Sequence, residues 1–180
     1  MNRYVLLLRG INVGGKNIVS MKELKKCLEK LGFANVTTYI ASGNVILESE
    51  KNAEKVKSTI ERALPDVFKL DSELIKVLVL TEGQLQAIVA NKPEGFGESP
   101  EMYHSDVVFM MDIDTKQAMT VFSPKEGVDK VWEGKAVIYS QRLSALRTKS
   151  RLSKIVGTPA YKSMTIRNWN TTVKLLEMLK

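Results

Sequence analysis

The order in which short apolar runs and amphipathic stretches alternate over residues 1–80 constrains this chain more than any other feature of it. Tyr4 to Leu8 is a continuous apolar run too short for a helix core, and it reads as a buried strand. Ser20-Met21-Lys22-Glu23 then fits a capping box, in which a serine oxygen and a glutamate satisfy opposite orphan N–H groups at a helix start. Met21, Leu24, Leu28 and Leu31 recur at helical spacing with Cys27 beside them, and Gly32 stands where a C-terminal cap belongs. Val36 to Ala41 and Val45 to Leu47 flank Gly43-Asn44, a dipeptide suited to a tight hairpin turn because both residues tolerate positive φ. A second helix is predicted from Asn52 to Leu64, with Val56 and Ile60 on one face and Pro65 closing it, and Ile75 to Leu80 supplies a fourth strand. The order is β-α-β-β-α-β, the split arrangement of a ferredoxin-like half with both helices on one face of a four-stranded sheet.

Residues 81–105 read as a bridge. Thr81 and Gln84 form another capping box for a helix carrying Leu85, Ile88 and Val89, and Pro93 to Ser105, rich in Gly, Pro and Glu, is expected to be a mobile loop. Val107 to Met111 opens residues 106–180 as a strand, and Asp114 can cap a short helix through Phe122. Val128 to Trp132 and Ala136 to Tyr139 make a hairpin around Glu133-Gly134-Lys135, a helix is predicted from Leu143 to Val156, and Ser163 to Ile166 is a short strand. Asn168 caps a final helix whose Val173, Leu176 and Leu179 share a stripe. The expected fold class is therefore α+β, with two ferredoxin-like halves joined by a bridging helix and followed by a C-terminal helix. The halves repeat in element order only.

Composition excludes several functions. The apolar runs fall far below the roughly 20 residues that cross a bilayer, and a strand pattern follows Met1 where a signal peptide would need a longer apolar core. No membrane partner and a cytoplasmic location are expected. A single cysteine and a single histidine, Cys27 and His104, leave no internal disulfide and no His pair, so neither a metal nor a cofactor is expected. Cys27 belongs to the apolar stripe of its helix and reads as core. The formal charge of +7 and pI near 9.4 favour an anionic partner, either nucleic acid or a phosphorylated small molecule.

Three stretches are candidates for meeting such a partner. RGINVGGKN, from Arg9 to Asn17, leaves the first strand with three glycines and a lysine, so its backbone N–H groups can turn toward an anion. Arg9, Asn12, Gly14, Gly15, Lys16 and Asn17 are its candidate ligand-binding residues. The loop matches G-x-x-x-x-G-K, but Asn17 replaces the Ser or Thr of a P-loop, and Ile18 and Val19 separate the lysine from the helix. Arg147, Arg151 and Lys154, spaced i, i+4 and i+7 on the predicted helix, would form a basic stripe able to follow phosphates, and Glu177 is the one acid between Lys135 and Lys180. In TIRNWNT, Thr165 to Thr171, capping accounts for Asn168 and packing for Trp169, which leaves Arg167 and Asn170 over as ligand candidates. Asp112-x-Asp114 is weak as a metal pair because Asp114 already has the capping role.

LLRGINVGGKN with SMKEL, TYIASGNV from Thr38 to Val45, and TIRNWNT together resemble the bacterial family catalogued as domain of unknown function 1697, over nearly the whole chain. The resemblance implies a two-part α+β protein of bacterial origin and brings no activity or catalytic residue with it. One departure is the second threonine of NWNTTV, where the family more often reads NWNTV, which bears on helix register after Thr171. The reading favoured is an anion-binding module, nucleic acid foremost. The alternative is an enzyme acting on a small phosphorylated or carboxylated substrate in a cleft between the halves, where Lys16 and Arg167 would converge on one anion and Asn12 and Asn170 would orient it.

Overall fold

A computed structural model describes residues 1–70 and 75–180. The chain divides into two compact units, Met1–Gln86 with Leu175–Lys180, and Ala87–Lys174. The architecture is mixed α and β, with two four-stranded antiparallel sheets.

In the first unit β1 (Asn2–Arg9), β2 (Ala34–Tyr39), β3 (Asn44–Ser49) and β4 (Lys76–Thr81) lie in the order β2-β3-β1-β4. The apolar run of β1 occupies the middle, Leu6 pairing with Val45 on one side and Val79 on the other. Side chains alternate along a strand, so Tyr4, Leu6 and Leu8 share a face. They join one core with Leu24, Cys27 and Leu28 of α1 (Met21–Lys30) and with Val56, Ile60 and Leu64 of α2 (Ala53–Phe68). Ser20 caps α1 by accepting from Glu23 N at 3.5 Å, and Asn52 caps α2 by accepting from Lys55 N at 2.9 Å.

Two expectations for this unit are corrected. Helix α2 does not stop at Pro65 but continues to Phe68, which packs against the core, and Lys69 ends it in the left-handed region at φ 52°. The packing of that last turn outweighs the one backbone hydrogen bond a proline cannot donate. Nor is Gly43-Asn44 the hairpin turn. The turn is residues 40–43, and Asn44 opens β3 fully buried, its Nδ2 donating to Tyr39 O at 3.0 Å and Ser42 Oγ at 2.8 Å.

In the second unit β5 (Tyr103–Met110), β6 (Asp129–Glu133), β7 (Val137–Leu143) and β8 (Met164–Asn168) take the order β6-β7-β5-β8. Helix α3 (Glu82–Ala90) begins in the first unit and ends in the second, and it follows the expected box, with Thr81 N donating to Gln84 Oε1 at 2.9 Å and Gln84 N to Thr81 Oγ1 at 3.2 Å. Val108, Met110, Ile138 and Met164 form a core with Ala118 of α4 (Thr115–Met119), which Asp114 caps by accepting from Gln117 N at 2.8 Å. That helix ends at Met119, short of Phe122.

The α-helix expected over Leu143 to Val156 does not form. Strand β7 runs through Leu143, and three 3₁₀ segments follow, Ser144–Lys149, Leu152–Gly157 and Pro159–Ser163. Only Leu152 and Ile155 are buried there, three residues apart, a spacing that suits 3.0 residues per turn. Hydroxyls also compete for the backbone, Ser150 Oγ accepting from Leu152 N at 3.2 Å and Thr158 Oγ1 donating to Ile155 O at 2.6 Å.

Where a mobile loop was expected over Pro93 to Ser105, the chain makes turns around a buried Phe96, and Tyr103 to Ser105 already belong to β5. The Phe96 ring meets Trp132, Tyr139 and Trp169 edge to face at 5.9, 5.1 and 5.2 Å between centroids. Helix α5 (Trp169–Glu177) buries Thr172 and Leu175, with Leu179 beyond it, instead of the stripe through Val173 and Leu176. The second threonine of NWNTTV sets that face, its Oγ1 donating back to Asn168 O at 3.1 Å.

Candidate functional site

The glycine loop is a miniature hairpin. Lys16 N donates to Val13 O at 3.0 Å, and Asn12 N to Asn17 O at 3.0 Å. Gly14 and Gly15 between them have φ of 57° and 73°, and positive φ at both central residues is the requirement of a type I′ turn. The asparagines fasten this loop. Asn12 Oδ1 accepts from Val19 N at 2.7 Å, its Nδ2 donates to Val19 O at 3.0 Å and Ala41 O at 2.9 Å, and Asn17 Nδ2 donates to Gly10 O at 2.8 Å. Lys16 is exposed at the tip between exposed Val13 and Ile18, and Arg9 ends β1 opposite Lys76. Because α1 begins at Met21 and not at Lys16, the helix N-terminus does not cradle the loop as it would in a P-loop.

The bond to Ala41 joins the loop to the 40–43 turn, so LLRGINVGGKN and TYIASGNV form one surface at this end of the first sheet. Leu8 N donates to Gly43 O at 2.9 Å. A Cβ on Gly43 would stand 2.9 Å from Leu8 Cβ and 3.0 Å from Ile11 Cδ1, so the close approach requires glycine.

In the second unit Arg167 is buried on β8, its Nη1 donating to Thr165 Oγ1 at 3.0 Å and Ile166 O at 2.8 Å. Desolvation draws its pKa down to about 10. Alternation along β8 puts Asn168 on the opposite face. There Asn168 Nδ2 donates to Ser105 O at 3.2 Å and its Oδ1 accepts from the backbone N of exposed Asn170 at 3.0 Å. Tyr103, His104, Ser105, Asn168, Trp169 and Asn170 are among the residues lining a pocket of about 140 Å³. His104 Nε2 lies 3.0 Å from Asp106 Oδ2, and burial pushes the Asp106 carboxyl up against the opposing pull of His104. Sequence reasoning passed over this pair. Its signal was the i, i+2 spacing on a strand, which sets both side chains on one face.

The basic residues do not form a helical stripe. Arg147 lies on the first 3₁₀ segment, Arg151 immediately before the second and Lys154 on it, all exposed along with Lys149 and Lys162, and none makes an ion pair among the described residues. Lys154 N donates to Arg151 O at 3.1 Å. Among the described residues no group of three or more His, Cys, Asp or Glu is placed to hold a metal ion, and no helix is long and apolar enough to cross a membrane.

The family model for a protein of unknown function, DUF1697, matches residues 1–139, and the chain belongs to that family. Among solved structures, a conserved bacterial protein from Streptococcus pneumoniae is similar at 31% identity, with 99% of each chain covered and a TM-score of 0.81. No curated protein matches the chain. The structural likeness thus extends past the family match, through the basic 3₁₀ segments and the TIRNWNT strand.

Proposed function

We propose that this protein binds polyanions, nucleic acid foremost, through the surface that carries Arg147, Arg151 and Lys154. The observation that supports it is a run of exposed cations on residues 144–162 that contains no acid and no ion pair among the described residues. Three 3₁₀ segments spread these charges over several turns, an arrangement suited to a phosphate backbone more than to one small anion. Tyr139 offers no platform for base stacking, because its ring is buried with its hydroxyl donating to Ile88 O at 2.6 Å. The reading assumes a cytoplasmic location and a ferredoxin-like plan for each unit, which the shared strand order of the two sheets supports.

A second reading has a specific observation behind it. Gly10, Asn12, Gly14, Gly15 and Asn17 all hold positive φ within one loop, and Ile40 beside it does the same, a concentration of unusual backbone typical of ligand sites. On that reading Lys16 and Arg9 would meet a small phosphorylated or carboxylated molecule.

Fluorescence anisotropy with short labelled RNA, single-stranded DNA and duplex DNA, at about 50 and 200 mM salt, tests the first reading. The Arg147→Ala/Arg151→Ala/Lys154→Ala variant is expected to bind all sequences more weakly and to flatten the salt slope by about three, one for each phosphate no longer neutralised. Absence of nucleic-acid binding by the unaltered protein at low salt would overturn it.

A further inference from the structure

We infer that the turn at residues 124–127 supplies the other wall of this polyanion seat, with Lys125 and Arg151 gripping one stretch of nucleic-acid backbone and Asp129 acting as the positioning residue for both. The inference rests on the reading above and names where on that surface the phosphates sit. Pro124, Lys125, Glu126, Gly127 and Arg151 line an open depression of about 520 Å³. It is far larger than one phosphate and wide at the mouth, as a passing chain requires.

What makes the depression a built feature is Asp129. Its side chain is buried at the first residue of β6, and its Oδ2 accepts from Arg151 N at 2.8 Å and from Lys125 N at 2.9 Å. One carboxylate oxygen therefore holds the two backbone points from which the facing cations spring. The turn is closed again from its own side, Asp129 N donating to Lys125 O at 2.8 Å and Val128 N to the same oxygen at 3.0 Å. A buried carboxylate is costly unless hydrogen-bonded; Oδ1 has no hydrogen-bond partner among the described residues, so the two bonds at Oδ2 are what compensate the burial and tie the geometry of Lys125 to that of Arg151. Glu126, on the same rim, carries the charge of the ligand and opposes it.

The three residues give opposite expectations, which makes the test sharp. With the labelled RNA and duplex DNA above, Lys125→Ala should weaken binding about threefold or more at low salt and lower the salt slope by about one. Glu126→Gln should tighten it about twofold through the lost repulsion. Asp129→Asn adds one unit of positive charge, so electrostatics alone predicts tighter binding, whereas loss of positioning predicts weaker binding. Weaker binding is expected, with no further loss when Lys125→Ala is added. Should Asp129→Asn fail to fold, the Lys125 and Glu126 variants decide the case. If both leave affinity unchanged while the Arg147/Arg151/Lys154 variant loses binding, or if a folded Asp129→Asn variant binds more tightly, the seat is refuted and the polyanion reading stands. If the unaltered protein binds no nucleic acid, both fall.

Discussion

Ile40 holds φ of 48° in the turn that touches the glycine loop. A β-branched residue there sets its Cβ against the following carbonyl, at roughly 1–2 kcal/mol. Three residues on, Gly43 holds φ of 79° with Leu8 packed where a Cβ would go. The same four-residue turn therefore gives substitutions of opposite sign. Ile40→Asn should raise stability by about 1 kcal/mol, since Asn tolerates the left-handed region and Ile40 is exposed. Gly43→Ala should lower it by more than about 1 kcal/mol, combining backbone strain with overpacking. Urea midpoints of the two variants against the unaltered protein measure both, and a destabilised Ile40→Asn would mean that the isoleucine side chain packs to an advantage larger than the strain.

At the scale of elements, legibility followed periodicity. Helices α1 and α2 announced themselves because a cap and an apolar stripe of period 3.6 coincide in sequence, and the strands of the first sheet did so through short apolar runs. The segment after Leu143 misled because Arg147, Arg151 and Lys154 have helical spacing while the apolar residues do not, and burial, not charge, decides which helix forms. The Lys125 to Arg151 tie was invisible, being made by one side chain to two backbone groups, one of them 22 residues away. Its stability has a pH signature. Burial works against the Asp129 charge, but the N–H groups of Arg151 and Lys125, with Arg142 nearby, outweigh it and hold the carboxyl below its ordinary value. A depressed folded-state value gives stability that is present above the unfolded-state pKa, about 3.9, and lost as pH falls through the folded-state value. The stability gap between the unaltered protein and Asp129→Asn should thus be widest near neutral pH and shrink below about pH 4. Urea unfolding of both at neutral pH and at about pH 3 checks it, and a gap that grew on acidification would reverse the sign of the argument.

Across the whole molecule the positive charge is not spread evenly. Residues 135–180 carry ten Lys and Arg against one Glu, a formal +9, so residues 1–134 are net −2 although the chain as a whole is +7. An acidic partner should be drawn to its last quarter, and the pull should be tunable by salt because most of the cations there are exposed, Arg167 and half-buried Arg142 excepted. Binding that favours the folded state raises its stability by mass action, by about 2.7 kcal/mol when free ligand stands at a hundred times its dissociation constant. Titrating an RNA oligonucleotide into the protein at low salt should therefore raise the melting temperature in proportion to the logarithm of its concentration. The shift should fade as added salt removes the advantage of counterion release, and inorganic phosphate at equal charge should not reproduce it, since a single anion releases too few. The Arg147→Ala/Arg151→Ala/Lys154→Ala variant should melt near the unaltered temperature when free and lose most of the RNA-dependent shift, because exposed side chains without ion pairs contribute little to the fold itself. A shift that phosphate matches, or that survives in the variant, would move the anion site away from this surface and toward the glycine loop around Lys16.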